Sequence, residues 1–100
     1  MRVIFTPRAE RQIDSLHGYI AENASEARAD ANVARIVGFC SGLGTFPLPG
    51  QQRDDLLAGL RTTGFERRIT IAFVVTPDAV PIEGIFYGGQ DFETVYEGEG

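Results

Sequence analysis

The sequence predicts an α+β fold in the order β-α-α-β-β-β: an antiparallel sheet with an N-terminal helical hairpin packed on one face. Three observations carry this. Residues 68–76 place Ile69, Ile71, Phe73 and Val75 in alternation with Arg68, Thr70, Ala72 and Val74, the period-two pattern of a strand with one strongly buried face. Two stretches of the first half instead repeat apolar residues at spacings of three and four, the period of amphipathic helices. Both helical stretches precede the strand-rich half, so they lie on one connection and cover one face of the sheet.

The elements follow in order. Arg2 to Phe5 reads as a short strand. Thr6 and Pro7 then start a helix: the hydroxyl caps, and proline suits the first helical position, where an N–H has no partner anyway. Ala9, Ile13, Leu16 and Ile20 form its apolar stripe, and it ends near Asn23. Ser25 caps a second helix with Glu26 in its first turn, where a carboxylate faces the positive end of the helix dipole. Its stripe is Ala29, Val33, Ile36, Cys40 and Leu43, and Gly42 and Gly44 end it. So short a connection makes the two helices antiparallel.

Thr45 to Gln52 reads as a loop broken by Pro47, Pro49 and Gly50, and Arg53 to Ala58 as one short helical turn. A three-strand meander follows. Leu60 to Thr63 is its first strand, with a turn near Gly64, and residues 68–76 are its middle. The mixed outer face of the middle strand predicts partial cover on that side as well. Thr76-Pro77-Asp78-Ala79 supplies a turn. In the last strand, Val80 to Tyr87, alternation sets Ile82 and Phe86 on one side and Glu83, Ile85 and Tyr87 on the other. Pro81 cannot donate to a ladder and predicts an edge position or a strand start. Gly88-Gly89 gives a turn. The expected organisation is one domain over residues 1–93 and an acidic, mobile tail over 94–100.

Composition narrows the function. A chain of 100 residues with 43% hydrophobic content suits one globular core rather than disorder. No apolar run is long enough to span a membrane, and a single cysteine forms no internal disulfide, which together point to the cytoplasm. All nine basic residues are arginine. The formal charge is −5, and four acids (Asp91, Glu93, Glu97, Glu99) fall in the last ten residues. Nucleic-acid binding draws on many cationic contacts, so direct DNA binding is not expected. One histidine and one cysteine, far apart, give no metal-ligand spacing, and no cofactor loop is present. His17 reads as a boundary residue and Cys40 as a small buried hydrophobe. Arg53 and Arg61 stand beside strand residues, where a planar guanidinium suits carboxylate or phosphate partners, and folding could gather them with Arg67 and Arg68.

Three stretches carry a family resemblance. They are Phe5 to Arg11 followed by Tyr19-Ile20-Ala21-Glu22; Pro49 to Leu56 followed by Gly59-Leu60-Arg61; and Ile85 to Phe92. In this order and spacing the chain resembles the ParE branch of the ParE/RelE toxin superfamily, over about residues 2 to 93. The resemblance implies a cytoplasmic toxin of a type II toxin–antitoxin pair, silenced by a ParD-like antitoxin and inhibiting DNA gyrase by binding, with no catalytic residue of its own. On this reading Arg53 and Arg61 receive antitoxin carboxylates, and Phe65 and Phe73 add apolar area. The turn at Gly88, Gly89, Gln90 and Phe92, with Tyr96 in the tail, meets the target. The related RelE-like branch cleaves messenger RNA on the ribosome. That alternative needs an acid or base and clustered cations, and this chain has no lysine and no histidine beyond position 17. An inactive relic that only binds antitoxin is the third reading. Toxins of this family are commonly basic; this chain is acidic, so local arginine–carboxylate pairs and apolar anchors must supply the affinity.

Overall fold

In the computed structural model the described residues are 1–45 and 50–88. The elements are β1 (Arg2–Phe5), α1 (Pro7–Asn23), α2 (Glu26–Gly42), β2 (Gln51–Gln52), β3 (Leu60–Phe65), β4 (Ile69–Val74) and β5 (Ala79–Tyr87). The five strands form one sheet in the order β1-β5-β4-β3-β2. The fold class is the expected one, with the helical hairpin on one face.

Both helix starts are built as the sequence indicates. Thr6 Oγ1 accepts from the Ala9 N–H at 3.2 Å and donates to the Ile82 carbonyl at 2.9 Å, so one hydroxyl caps α1 and ties it to the sheet. Ser25 Oγ accepts from the Arg28 N–H at 3.1 Å and caps α2. The inward stripes meet the sheet in one core. Ala9 and Leu16 of α1 and Ile36, Cys40 and Leu43 at and after α2 pack on Ile69, Ile71, Phe73, Val80, Ile82 and Ile85. His17 Nε2 lies 2.7 Å from Asp30 Oδ1 and bridges the two helices at the surface.

Four details depart from the expected arrangement. First, the sheet is mixed. β1 runs parallel to β5, pairing Arg2–Phe5 with Ala79–Ile82, because the helical hairpin returns the chain to the far side of the meander. Second, Gln51–Gln52 forms a strand rather than loop, antiparallel to Arg61 and Thr62. Two glutamines carry no apolar alternation; backbone geometry places them, with Gly50 at φ 84° and the Arg53 N–H on the Leu60 carbonyl at 2.8 Å.

Third, β5 contains a bulge. Ala72 pairs with Gly84 but Phe73 pairs with Ile82, which leaves Glu83 as the extra residue. One extra residue reverses the facing of everything after it. Ile82 and Ile85 therefore share the helix-side core, with Tyr87 packed against it, while Phe86 joins Leu60 and Ala72 on the opposite face. The expected pairing of Ile82 with Phe86 is corrected, and the partial cover predicted for the outer face is present, with Leu56 and Val74 packed on that cluster. Pro81 sits inside the sheet, not at its edge. Its missing N–H is tolerated because the β4–β5 pairing ends at Phe73 opposite Ile82.

Fourth, the β3–β4 turn falls at Glu66 and Arg67 instead of Gly64, which continues β3 opposite Thr70. Glu66 and Arg67 have φ of 50° and 67°, and the Arg68 N–H donates to the Glu66 carbonyl at 2.7 Å. A tight turn centred on a positive-φ residue with a side chain is strained. Arg35 of α2 braces it, with Nε donating to Glu66 Oε1 at 2.6 Å and a second bond at 3.3 Å. Arg67→Gly is expected to raise stability by about 0.5–1 kcal/mol, since relief of the left-handed backbone outweighs the entropy glycine adds to the unfolded chain. Chemical denaturation measures this, and an unchanged or lower midpoint would contradict it.

Candidate partner-binding site

The four arginines that folding could have gathered are dispersed by the sheet. Arg53 bonds Leu60 through its backbone, and Arg61 is the next residue along β3, so their side chains leave opposite faces. Arg67 and Arg68 lie at the other end of β3, in the turn, and the four arginines form no single patch.

Arg53 is held by its neighbour. Its Nε donates to Asp55 Oδ1 at 3.0 Å and an Nη to Oδ2 at 2.9 Å, a two-pronged contact with an exposed carboxylate. The guanidinium hydrogen bonds keep the Asp55 carboxyl below its ordinary range. The linkage sign follows: a lowered folded-state pKa contributes stability above the unfolded value, and that contribution disappears as pH falls through the folded value. A carbon-detected titration is expected to move the Asp55 midpoint upward in Arg53→Ala; an unmoved midpoint would refute the contact. Beside this pair runs a shallow polar groove of about 380 Å³ lined by Gly50, Arg53, Thr62, Thr63, Gly64 and Thr70.

Arg61 lies opposite Phe73 on the helix side and is half-buried. Phe65 is half-buried too, its ring 5.0 Å from that of Phe39 on α2. Phe73 is different: it is fully buried under the helices. The folded protein does not offer it to a partner, and this placement corrects the expectation, because alternation that marks a buried face also marks a covered one. Gly88 is exposed with φ 69°, and its N–H donates to the Arg68 carbonyl at 2.8 Å. Gly89, Gln90, Phe92 and Tyr96, and with them the tail at 94–100, lie outside the described residues.

A second concavity was not anticipated. It is a groove of about 460 Å³ between α1 and β5 whose lining includes Arg8, Arg11, Tyr19, Ile85 and Tyr87. The signal was present in the sequence: Arg8, Arg11, Ser15 and Tyr19 recur at helical spacing beside the apolar stripe.

Among the described residues no group of three or more His, Cys, Asp or Glu is placed to hold a metal ion. Cys40 is buried, and burial pushes its thiol up to about 12. Thiol-specific labelling near neutral pH is expected to be slow and to track unfolding, with immediate modification in the native protein counting against it. No helix among the described residues is long and apolar enough to cross a membrane.

The fold is thus a two-layer α+β arrangement with polar and apolar grooves at its sheet edges. Over residues 3–92 the chain matches the family described as ParE toxin of type II toxin-antitoxin system, parDE; it belongs to that family. Among solved structures it is similar to a chain of the "Chromosomal ParDE TA system from P. aeruginosa", with a TM-score of 0.76 and 21% identity over 88% of this chain and 96% of that one. At that identity the likeness speaks for the fold. No curated protein matches the chain.

Proposed function

We propose that this protein is a cytoplasmic growth-inhibiting toxin, silenced by a ParD-like antitoxin and acting on DNA gyrase by binding rather than by chemistry. The observation that carries the reading is the family match over residues 3–92, which takes in both helices and, apart from Arg2, the five strands of the described residues. A toxin that traps one state of its target needs only differential affinity for that state. Antitoxin contacts are assigned to Arg53, Arg61 and Phe65, and target contacts to the turn at Gly88 and the residues after it. The two arginines face opposite sides of the sheet, so an antitoxin using both must wrap the β2–β3 edge. The acidic composition argues against direct DNA binding by the toxin alone.

The test is induced expression in a bacterium without antitoxin, with DNA integrity and bulk translation followed together. DNA breaks and filamentous cells while translation continues, with growth restored by a co-expressed ParD-like antitoxin, are the expected result. Immediate translation arrest with cleaved messages would replace this reading with the ribonuclease one. Normal growth with soluble protein present would overturn the toxin activity.

A further inference from the structure

The turn between β3 and β4 is built against the preference of the backbone. Phe65 pairs with Ile69, so Glu66, Arg67 and Arg68 alone make the connection. Glu66 and Arg67 both hold positive φ, 50° and 67°. Short hairpin connections ordinarily put glycine in the left-handed region, where it meets no steric penalty. This chain has 12 glycines and places none at 66 or 67. Residues with side chains persist in strained backbone where the surroundings hold them there, and they concentrate at contact and switch sites.

What the turn presents is charge. Arg35 of α2 takes up the Glu66 carboxylate in a two-pronged contact, with Nε to Oε1 at 2.6 Å and an Nη to Oε2 at 3.3 Å. The Arg67 and Arg68 side chains are exposed and have no hydrogen bond or ion pair among the described residues. Two guanidinium groups therefore stand clear at one corner of a protein whose net charge is −5. That corner is held on three sides. Arg35 grips the turn, the Phe39 and Phe65 rings pack 5.0 Å apart just before it, and the Gly88 N–H donates to the Arg68 carbonyl at 2.8 Å just after it. A surface ordered in advance loses less entropy on binding. The Gly88 bond also joins the turn to the position assigned above to the target.

We infer that residues 66–68 form part of the surface that meets the target of the toxin, and that Arg67 and Arg68 take a carboxylate-bearing patch of the target protein. The inference deepens the proposed function and rests on it. A guanidinium presents a planar fork that matches a carboxylate. Nucleic acid is the poorer fit: its affinity comes from many phosphate contacts, and two arginines on an acidic chain supply few. Carboxylates on a folded partner are met at short range, where salt screens the distant acids of the chain.

The test uses the full chain and purified DNA gyrase without DNA, with affinity followed by biolayer interferometry at low and high salt. The native chain is expected to bind, and more weakly at high salt. Arg67→Gly and Arg68→Glu are each expected to weaken binding at least about tenfold, whereas Arg67→Lys, which keeps the charge, retains it. Arg67→Gly melts no lower than the native chain, so its lost affinity is not a lost fold. Arg2→Glu is the control: Arg2 is exposed and pairs with Ala79 at the opposite end of the sheet, and the affinity stays unchanged. Native affinity in both Arg67→Gly and Arg68→Glu overturns the inference and leaves the gyrase reading standing. No binding by the native chain overturns both. Binding of a labelled DNA duplex by the toxin alone, lost in Arg68→Glu, would assign the arginines to phosphate and overturn the protein contact.

Discussion

Phe73→Ala is expected to cost about 3–5 kcal/mol, the range for truncating a fully buried aromatic. Phe73 is fully buried on β4, between β5 and β3, and packs in the core that joins both helices to the sheet. No exposed surface lets the cavity collapse cheaply. Domains of this size are stable by roughly 5–15 kcal/mol, so the change removes a large share of the total. Thermal unfolding followed by circular dichroism should show a fall of roughly 12–40 °C, at about 4–8 °C per kcal/mol. Phe65→Ala supplies the contrast. Its ring is half-buried at the far end of β3 against Phe39, and its loss should be smaller. Equal losses at the two positions would mean that the helix layer does not cover Phe73 as described.

The second large effect is expected at Gly50. Both Gly50 and Gly88 have positive φ, 84° and 69°, and alanine at either carries a backbone cost of about 1–2 kcal/mol. At Gly88 a Cβ meets open space. At Gly50 it would overlap the Thr62 carbonyl and crowd Thr63 Cβ. Those atoms belong to β3, inside the sheet, so β2 must peel away instead. Gly50→Ala is therefore expected to exceed Gly88→Ala by at least ~1 kcal/mol, within the range for backbone clashes. It should also speed amide exchange at Arg53, whose N–H bonds Leu60. Equal costs at the two glycines would show that φ alone matters and that β2 gives way freely.

The helices were legible because local signals act alone there: a capping hydroxyl at Thr6 and Ser25, and stripes such as Ala29, Ile36 and Cys40 that point one way. The strands of the meander were legible for the same reason. What local pattern does not carry is partnership. The parallel seat of β1 beside β5 depends on how the hairpin returns, and the pairing of Gln51–Gln52 depends on Gly50 and the Leu60 carbonyl. The bulge at Glu83 is invisible to alternation, since the residues on either side each keep a regular period. At the candidate site, residue type singled out Arg53 and Arg61 but not that they leave opposite faces, and apolarity did not separate the covered Phe73 from the half-exposed Phe65. The stripe from Arg8 to Tyr19 was readable and was passed over, because the apolar stripe beside it explained the helix.

The pairing of β1 with β5 has a genetic consequence. Thr6 bonds Ile82 across 76 residues, so β1 has no strand partner until β5 has been made. Until β5 is synthesised, Val3 and Phe5 have no neighbouring strand, and the core they help enclose stays open. A message broken or frame-shifted anywhere upstream of Ile82 yields a polypeptide without this closure. Every codon up to that of Ile82 is then a target for lesions that leave the sheet without its β1–β5 pairing.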